Sequence, residues 1–168
     1  MRRLHLLRHA KSSWRDAALP DHDRPLAPRG ERAAARLAVW LEESEVRPQL
    51  VLCSTATRAR ATLAVVAPAL GDPETSFEHG LYHAAAAGVL ERIREIEDTI
   101  EEAMLVGHNP GLQDLCLLLA AASSLERDRV AAKLPTGALV SIELDVDEWA
   151  DAAPGRGRIT SVVVPRDL

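Results

Sequence analysis

Cysteine is scarce in this chain: Cys53 and Cys116 are the only two among 168 residues, which excludes a disulfide-stapled scaffold. Cys53 falls in a strand pattern and Cys116 in an apolar helical one, so both read as small core residues. Lysine is equally rare, with Lys11 and Lys133 alone, and nearly all cationic character is arginine. A net charge of −5 argues against general nucleic-acid binding, which depends on neutralising many phosphates. No apolar run approaches the length of a membrane span. Met1-Arg2-Arg3 runs into a strand pattern rather than the long apolar segment of a secretion signal, and the expected location is cytoplasmic. Internal repeats and long low-complexity tracts are missing too. With 47% hydrophobic and 27% charged residues, the composition suits one globular domain over residues 1–168, long enough to bury a core.

What is present is an alternation of strand-like and helix-like segments. Residues 3–8 read as a buried strand, and a loop rich in proline and charge follows through about residue 28. Residues 29–45 carry Ala33, Leu37, Val39, Trp40 and Leu41 near helical period. A strand at 50–53 and a helix at 55–70, stopped by Gly71 and Pro73, come next. A short strand near 75–78 precedes a helix at 89–101 with Leu90, Ile93 and Ile96 in phase. A strand at 103–107 leads to Pro110, placed where a first helical turn tolerates it, and to a strongly apolar helix at 112–122. Alternation at 138–146 and 158–164 predicts two late strands, an antiparallel pair across the loop 147–157. The whole predicts an α/β fold with a mostly parallel sheet covered on both faces.

Three of the strand ends carry chemistry. The first strand ends in Leu6-Leu7-Arg8-His9-Ala10-Lys11-Ser12-Ser13-Trp14. Side chains at the carboxyl end of a buried strand are rigidly held where open α/β sheets put their ligands. Arg8 offers a planar fork to phosphate oxygens, and His9, with an ordinary pKa of about 6.5, is largely neutral and nucleophilic at pH 7. Ser54-Thr55-Ala56-Thr57-Arg58 follows the strand at 50–53, and Gly107-His108-Asn109-Pro110-Gly111 follows the strand at 103–107. A nucleophile in line with surrounding cations and donors is what phosphoryl transfer requires.

Taken together, Arg-His, Ser-x-x-x-Arg and Gly-His-Asn-Pro after three separate strands resemble the histidine phosphatase superfamily. The stretch 8–14, Asp23-Arg24-Pro25-Leu26-Ala27-Pro28-Arg29-Gly30, Leu81-Tyr82 and the closing Pro165-Arg166-Asp167-Leu168 are similar to its small SixA-type phosphohistidine phosphatases. The resemblance runs from end to end of the chain. It implies a single-domain, three-layer α/β/α sandwich of the phosphoglycerate mutase-like kind, with no cofactor and no metal. It also implies a catalytic pocket of Arg8, His9, Arg58 and His108, in which His9 forms a phosphohistidine intermediate that water cleaves. The expected partners are a phosphorylated protein (phosphohistidine) or a small phosphate ester, with phosphate- and sulfate-type anions entering the same pocket.

Ser12, in the loop after His9, is a candidate extra donor to the substrate, although a turn or N-cap serine reads the same way. Larger relatives place a phosphate-contacting Asn near this loop, where this chain has Arg15, so that role is not carried over. Arg60, two residues beyond Arg58 on a helix, is expected to face elsewhere, into solvent. His5 reads as a core or sheet residue and His22 as part of a charged loop. His79 and His83 stand four apart, but Gly80 weakens the helix that would make them a metal pair, and no Glu accompanies them. Relatives with alcohol leaving groups carry a carboxylic acid near the position of His83, making His83 the remaining candidate proton donor. The segment between Phe77 and Val89 is also too short for the lid of larger relatives, so the pocket is expected to be open. Three other readings stand beside a protein phosphohistidine phosphatase: a phosphomonoesterase for a small metabolite or aryl phosphate, a phosphate-binding regulatory pseudoenzyme, and a metallohydrolase.

Overall fold

The computed structural model describes residues 1–121 and 123–168. Its elements follow the alternation read from the sequence: β1 (Arg2–Arg8), α1 (Pro28–Glu43), β2 (Leu50–Ser54), α2 (Thr57–Val66), β3 (Glu74–Glu78), α3 (Ala86–Arg94), β4 (Glu102–Gly107), α4 (Gly111–Leu119), α5 (Leu125–Ala132), β5 (Leu139–Leu144) and β6 (Gly157–Val163). One six-stranded sheet has the order β3-β2-β4-β1-β5-β6. The first four strands of that order pair in parallel, while β5 is antiparallel to both β1 and β6.

Strand alternation sorts the core into two layers. Leu4 and Leu6 of β1, Leu52 of β2, Ala103 and Leu105 of β4 and Ile142 of β5 face α3, α4 and α5. Leu7, Val51, Cys53, Met104 and Val106 point the other way, onto Leu37 and Leu41 of α1 and Leu63 and Val66 of α2. Both cysteines are free and buried. His5 is buried within the sheet, with Nδ1 2.8 Å from Ser141 Oγ and Nε2 3.0 Å from Glu102 Oε1, as a sheet residue should be.

Several boundaries differ from the sequence reading, each for a local reason. The helix expected at 89–101 begins at Ala86 and stops at Arg94. The residues after it turn their polar groups to other partners. The Asp98 and Ile100 carbonyls accept from buried Arg2, and Ile100 also accepts from the Trp149 indole at 2.6 Å. The helix expected at 55–70 starts at Thr57 and tightens to a 3₁₀ turn over Ala67–Leu70, where Pro68 lacks the N–H that an α-helix needs. α5 had no strong apolar stripe to announce it, since Val130 is its one buried residue; Ser124 caps it by accepting from Arg127 N at 3.0 Å. The apolar helix expected at 112–122 ends at Leu119, and Ala122 lies outside the described residues.

Candidate active site

The C-terminal ends of β1, β2 and β4 lie side by side, and all three strand-end motifs meet there. The residues around His9 are clamped on several sides. His9 N donates to Gly107 O at 3.0 Å, Gly137 N donates to both Arg8 O and His9 O at 3.0 Å, and Ala10 N donates to Thr62 Oγ1 at 2.9 Å. Thr62 itself donates to Arg58 O at 2.7 Å, tying the residue after His9 to the first turn of α2. Gly111 allows α4 to start close by: a Cβ there would fall 2.2 Å from Ala84 O.

Within this frame Arg8, His9, Ser12, Arg58, His83 and His108 all line one cavity of about 240 Å³. His9, Ser12, Arg58 and His108 are buried. His9 Nδ1 lies 2.7 Å from Ala10 O, which selects the Nδ1–H tautomer and leaves Nε2 with its lone pair. Arg58 Nε donates to that Nε2 at 3.3 Å. The His9 and His108 rings are 5.1 Å apart.

His108 Nε2 sits 2.7 Å from Ser54 Oγ, an oxygen that also accepts from Ala56 N at 3.3 Å. Donation of the serine proton to Nε2 satisfies both groups and puts the imidazole proton on Nδ1. That Nδ1 is one of two buried side-chain polar atoms left without a partner among the described residues, and the other is Arg8 Nε. Both belong to side chains on the cavity wall. Unpaired buried donors carry a desolvation cost that an anion in the cavity would relieve. Arg8 is otherwise fixed by Nη1, which donates to Leu134 O at 2.9 Å.

The outer edge of Arg58 is held by a residue that the sequence reading passed over. Arg58 Nη1 donates to Asp21 O at 2.7 Å and Nη2 to Asp21 Oδ2 at 3.0 Å. The same carboxylate accepts from Tyr82 Oη at 2.5 Å and from Arg24 Nε at 3.1 Å, and His83 Nε2 stands 3.6 Å away. The signal is weak: His22 and its neighbours read as part of a charged loop, whereas Asp21–Asp23 forms a short 3₁₀ turn against the site. Tyr82, the single tyrosine, enters the sequence pattern only as half of the Leu81-Tyr82 pair. Arg60 does face solvent, stacked over Phe77. His79 lies in a 3₁₀ turn that ends at Leu81, and His83 beyond it has φ +58°, so the two share no helical face. Among the described residues no group of three or more His, Cys, Asp or Glu side chains is placed to hold a metal ion.

Electrostatics follow from this packing. Burial, opposed by the Ala10 hydrogen bond and reinforced by Arg58 and Arg8, pushes His9 down to about 4. Burial, with His9 and Arg58 beside it, pushes His108 down to about 3. The Tyr82 hydroxyl, then Arg58 and Arg24, hold the Asp21 carboxyl well below the usual carboxylate range. Both imidazoles are therefore neutral at pH 7 in the folded protein.

A pH dependence of stability results. Below pH 6.5 the unfolded chain protonates these histidines while the folded chain resists, down to about 4 for His9 and about 3 for His108. The melting temperature is expected to fall between pH 7 and pH 4, and to fall less in the His9→Ala, His108→Ala double variant. Asp21 does not mask the effect, because its stabilisation begins to be lost only below about 3.8. Calorimetry at several pH values checks this, and identical slopes for wild type and double variant would contradict it.

An α/β sheet that gathers two arginines and two histidines at the ends of three adjacent parallel strands has the build of a phosphoryl-transfer enzyme. Residues 4–114 match the model of the histidine phosphatase superfamily, branch 1, and the chain belongs to that superfamily. An uncharacterised Mycobacterium tuberculosis protein is 39% identical over 163 residues, covering 95% of this chain and 100% of the relative. The solved structure of a SixA from Nakamurella multipartitia, assigned as a phosphohistidine phosphatase, has a TM-score of 0.84 at 29% identity, covering 98% of this chain and 96% of that one. A SixA of the same assignment from Agrobacterium tumefaciens gives 0.81 at 27% identity and 98% of both chains. The chain is of this SixA type, with the phosphoglycerate mutase-like fold, and its family supports a phosphatase.

Proposed function

We propose that this chain, as one domain over residues 1–168, is a cytoplasmic, metal-independent phosphatase that hydrolyses phosphohistidine in a protein. His9 Nε2 attacks phosphorus in line while the P–N bond to the substrate imidazole breaks, the bond electrons passing to the leaving nitrogen. Water then attacks the phosphorus on His9, releasing inorganic phosphate and the free imidazole. Arg8, Arg58, His108 Nδ1–H and Ser12 surround the equatorial oxygens.

The observation that carries the substrate assignment is the state of the carboxylate beside the site. No Asp or Glu lines the cavity among the described residues. Asp21, which reaches Arg58, is held ionised by Tyr82, Arg58 and Arg24, and so has no proton to give. Alkoxides need a proton in order to leave, whereas a phosphohistidine protonated on its other nitrogen departs as neutral imidazole. The test is turnover of a phosphohistidine protein beside alkyl and aryl phosphates at equal concentration, with and without EDTA. Alkyl phosphates are expected to react about 10² or more times slower, and the chelator to change nothing. Equal efficiency on phosphohistidine and alkyl phosphate would overturn the assignment, and loss of activity restored by zinc would favour metal chemistry.

A second reading, a phosphomonoesterase for a small metabolite or aryl phosphate, draws on His83, which reaches the cavity wall while its side chain stays 64% exposed. If His83 donates a proton to a leaving alcohol, His83→Ala will slow alkyl ester hydrolysis while leaving phosphohistidine turnover unchanged.

A further inference from the structure

Trp14 stands on the rim of the cavity that holds His9, and nothing in the mechanism so far uses it. The residue is 70% exposed, yet one face of its ring is covered. The guanidinium carbon of Arg24 lies 3.3 Å from the ring centroid. Arg24 is itself buried and pinned, with Nε donating to Asp21 Oδ1 at 3.1 Å and Nη1 reaching Ser13 O at 3.5 Å. The backbone carrying the ring is fixed as well, through the Ser12–Leu26 bridge and the bond from Ser13 N to Pro25 O at 2.8 Å. A largely exposed indole beside a catalytic cavity is thus held in place by a buried guanidinium that lines the same cavity.

We infer that Trp14 is the stacking platform for the leaving group, and that the site selects substrates whose leaving group is a planar ring, joined to phosphorus through a ring nitrogen or through an oxygen carried on the ring. This rests on the proposed function and sharpens its substrate class: the imidazole of phosphohistidine is such a ring. Arg24 fixes the platform before substrate arrives, so stacking costs little ordering of the protein. The same carboxylate of Asp21 holds both Arg24 and Arg58, so platform and phosphoryl clamp share one support. Ring pairing adds a further gain beyond area burial, which corresponds to about twofold to tenfold in affinity.

The test compares three substrates: a phosphohistidine peptide, p-nitrophenyl phosphate, and acetyl phosphate, which has a good leaving group but no ring. In the Trp14→Leu variant, KM for the two ring substrates should rise about twofold to tenfold, with acetyl phosphate unchanged, and Trp14→Phe should restore most of the loss. The solvent position of Trp14 makes all these variants foldable. A uniform fall on all three substrates, or no change on the ring substrates, would overturn the platform. If wild type turns over the aryl phosphate but not the peptide, the phosphohistidine assignment fails, while the aryl and acetyl phosphate comparison still decides the role of Trp14.

Discussion

Replacing His9 with alanine is expected to remove turnover and the phosphoenzyme together. In the wild type, brief reaction with labelled substrate should trap label in an acid-labile, base-stable form, as a phosphoramidate demands. The geometry leaves little room for a substitute nucleophile. His9 Nε2 is the atom freed by the Nδ1 bond to Ala10, and burial keeps it unprotonated down to about 4. Of the two other imidazoles on the cavity wall, His108 is engaged at Nε2 by Ser54 and presents a protonated Nδ1 instead, and His83 is largely exposed with its Nε2 3.6 Å from Asp21 Oδ2. Oxyanion binding should survive in His9→Ala, because Arg8 and Arg58 remain on the wall. Loss of activity with retained binding of vanadate separates a missing nucleophile from a collapsed pocket. A fully active His9→Ala protein would sink the covalent mechanism.

Arg58→Ala should cost about 10³ in kcat, the range seen when an arginine that stabilises the charge of a transferring phosphoryl group is removed. Lysine should not restore it, since the guanidinium uses Nε toward His9 and both Nη groups toward Asp21, a planar arrangement that an ammonium lacks. Asp21→Asn gives a second, smaller measure. It keeps the carbonyl contact to Nη1 but weakens the charged ones to Arg58 Nη2 and Arg24 Nε, so kcat should fall about tenfold for every substrate, with an added rise in KM for ring substrates as the Trp14 platform loosens. A Tyr82→Phe variant, which removes another donor from Asp21, should move in the same direction. Single-turnover kinetics read these effects directly. An Arg58→Ala enzyme within a few-fold of wild type would mean that Arg8 alone clamps the phosphoryl group.

Most of the parallel sheet could be read from the chain because its strands are buried on both faces and announce themselves as short apolar runs. The motif residues at their ends were equally plain: Arg8, His9, Arg58 and His108 share one cavity because β1, β4 and β2 are neighbours. What escaped reading has physical causes. Asp21 and Tyr82 act through contacts across 61 positions of sequence, and a polar loop gives no periodic signal. The end of α3 depended on Arg2, whose guanidinium draws the carbonyls of Asp98 and Ile100 from nearly a hundred residues away. α5, with Val130 alone facing inward, lacks the repeat by which a helix declares itself.

The register of β4 has a kinetic meaning. All six of its residues are buried, and it pairs on one side with β1, placing Gly107 opposite Arg8, and on the other with β2, placing Val106 opposite Cys53. His108 is the next residue, so its direction is set by a ladder that cannot slip by one position without turning every side chain to the opposite layer. Slippage of this ladder therefore cannot displace His108 while leaving the sheet intact. Backbone amides from Met104 to Gly107 should exchange with deuterium only through global unfolding, whereas those of the exposed Asp16 and Ala17 exchange freely. The strand-borne part of the catalytic centre would then be lost only with the fold, so that displacement of His108 by heat or denaturant runs in step with loss of the sheet.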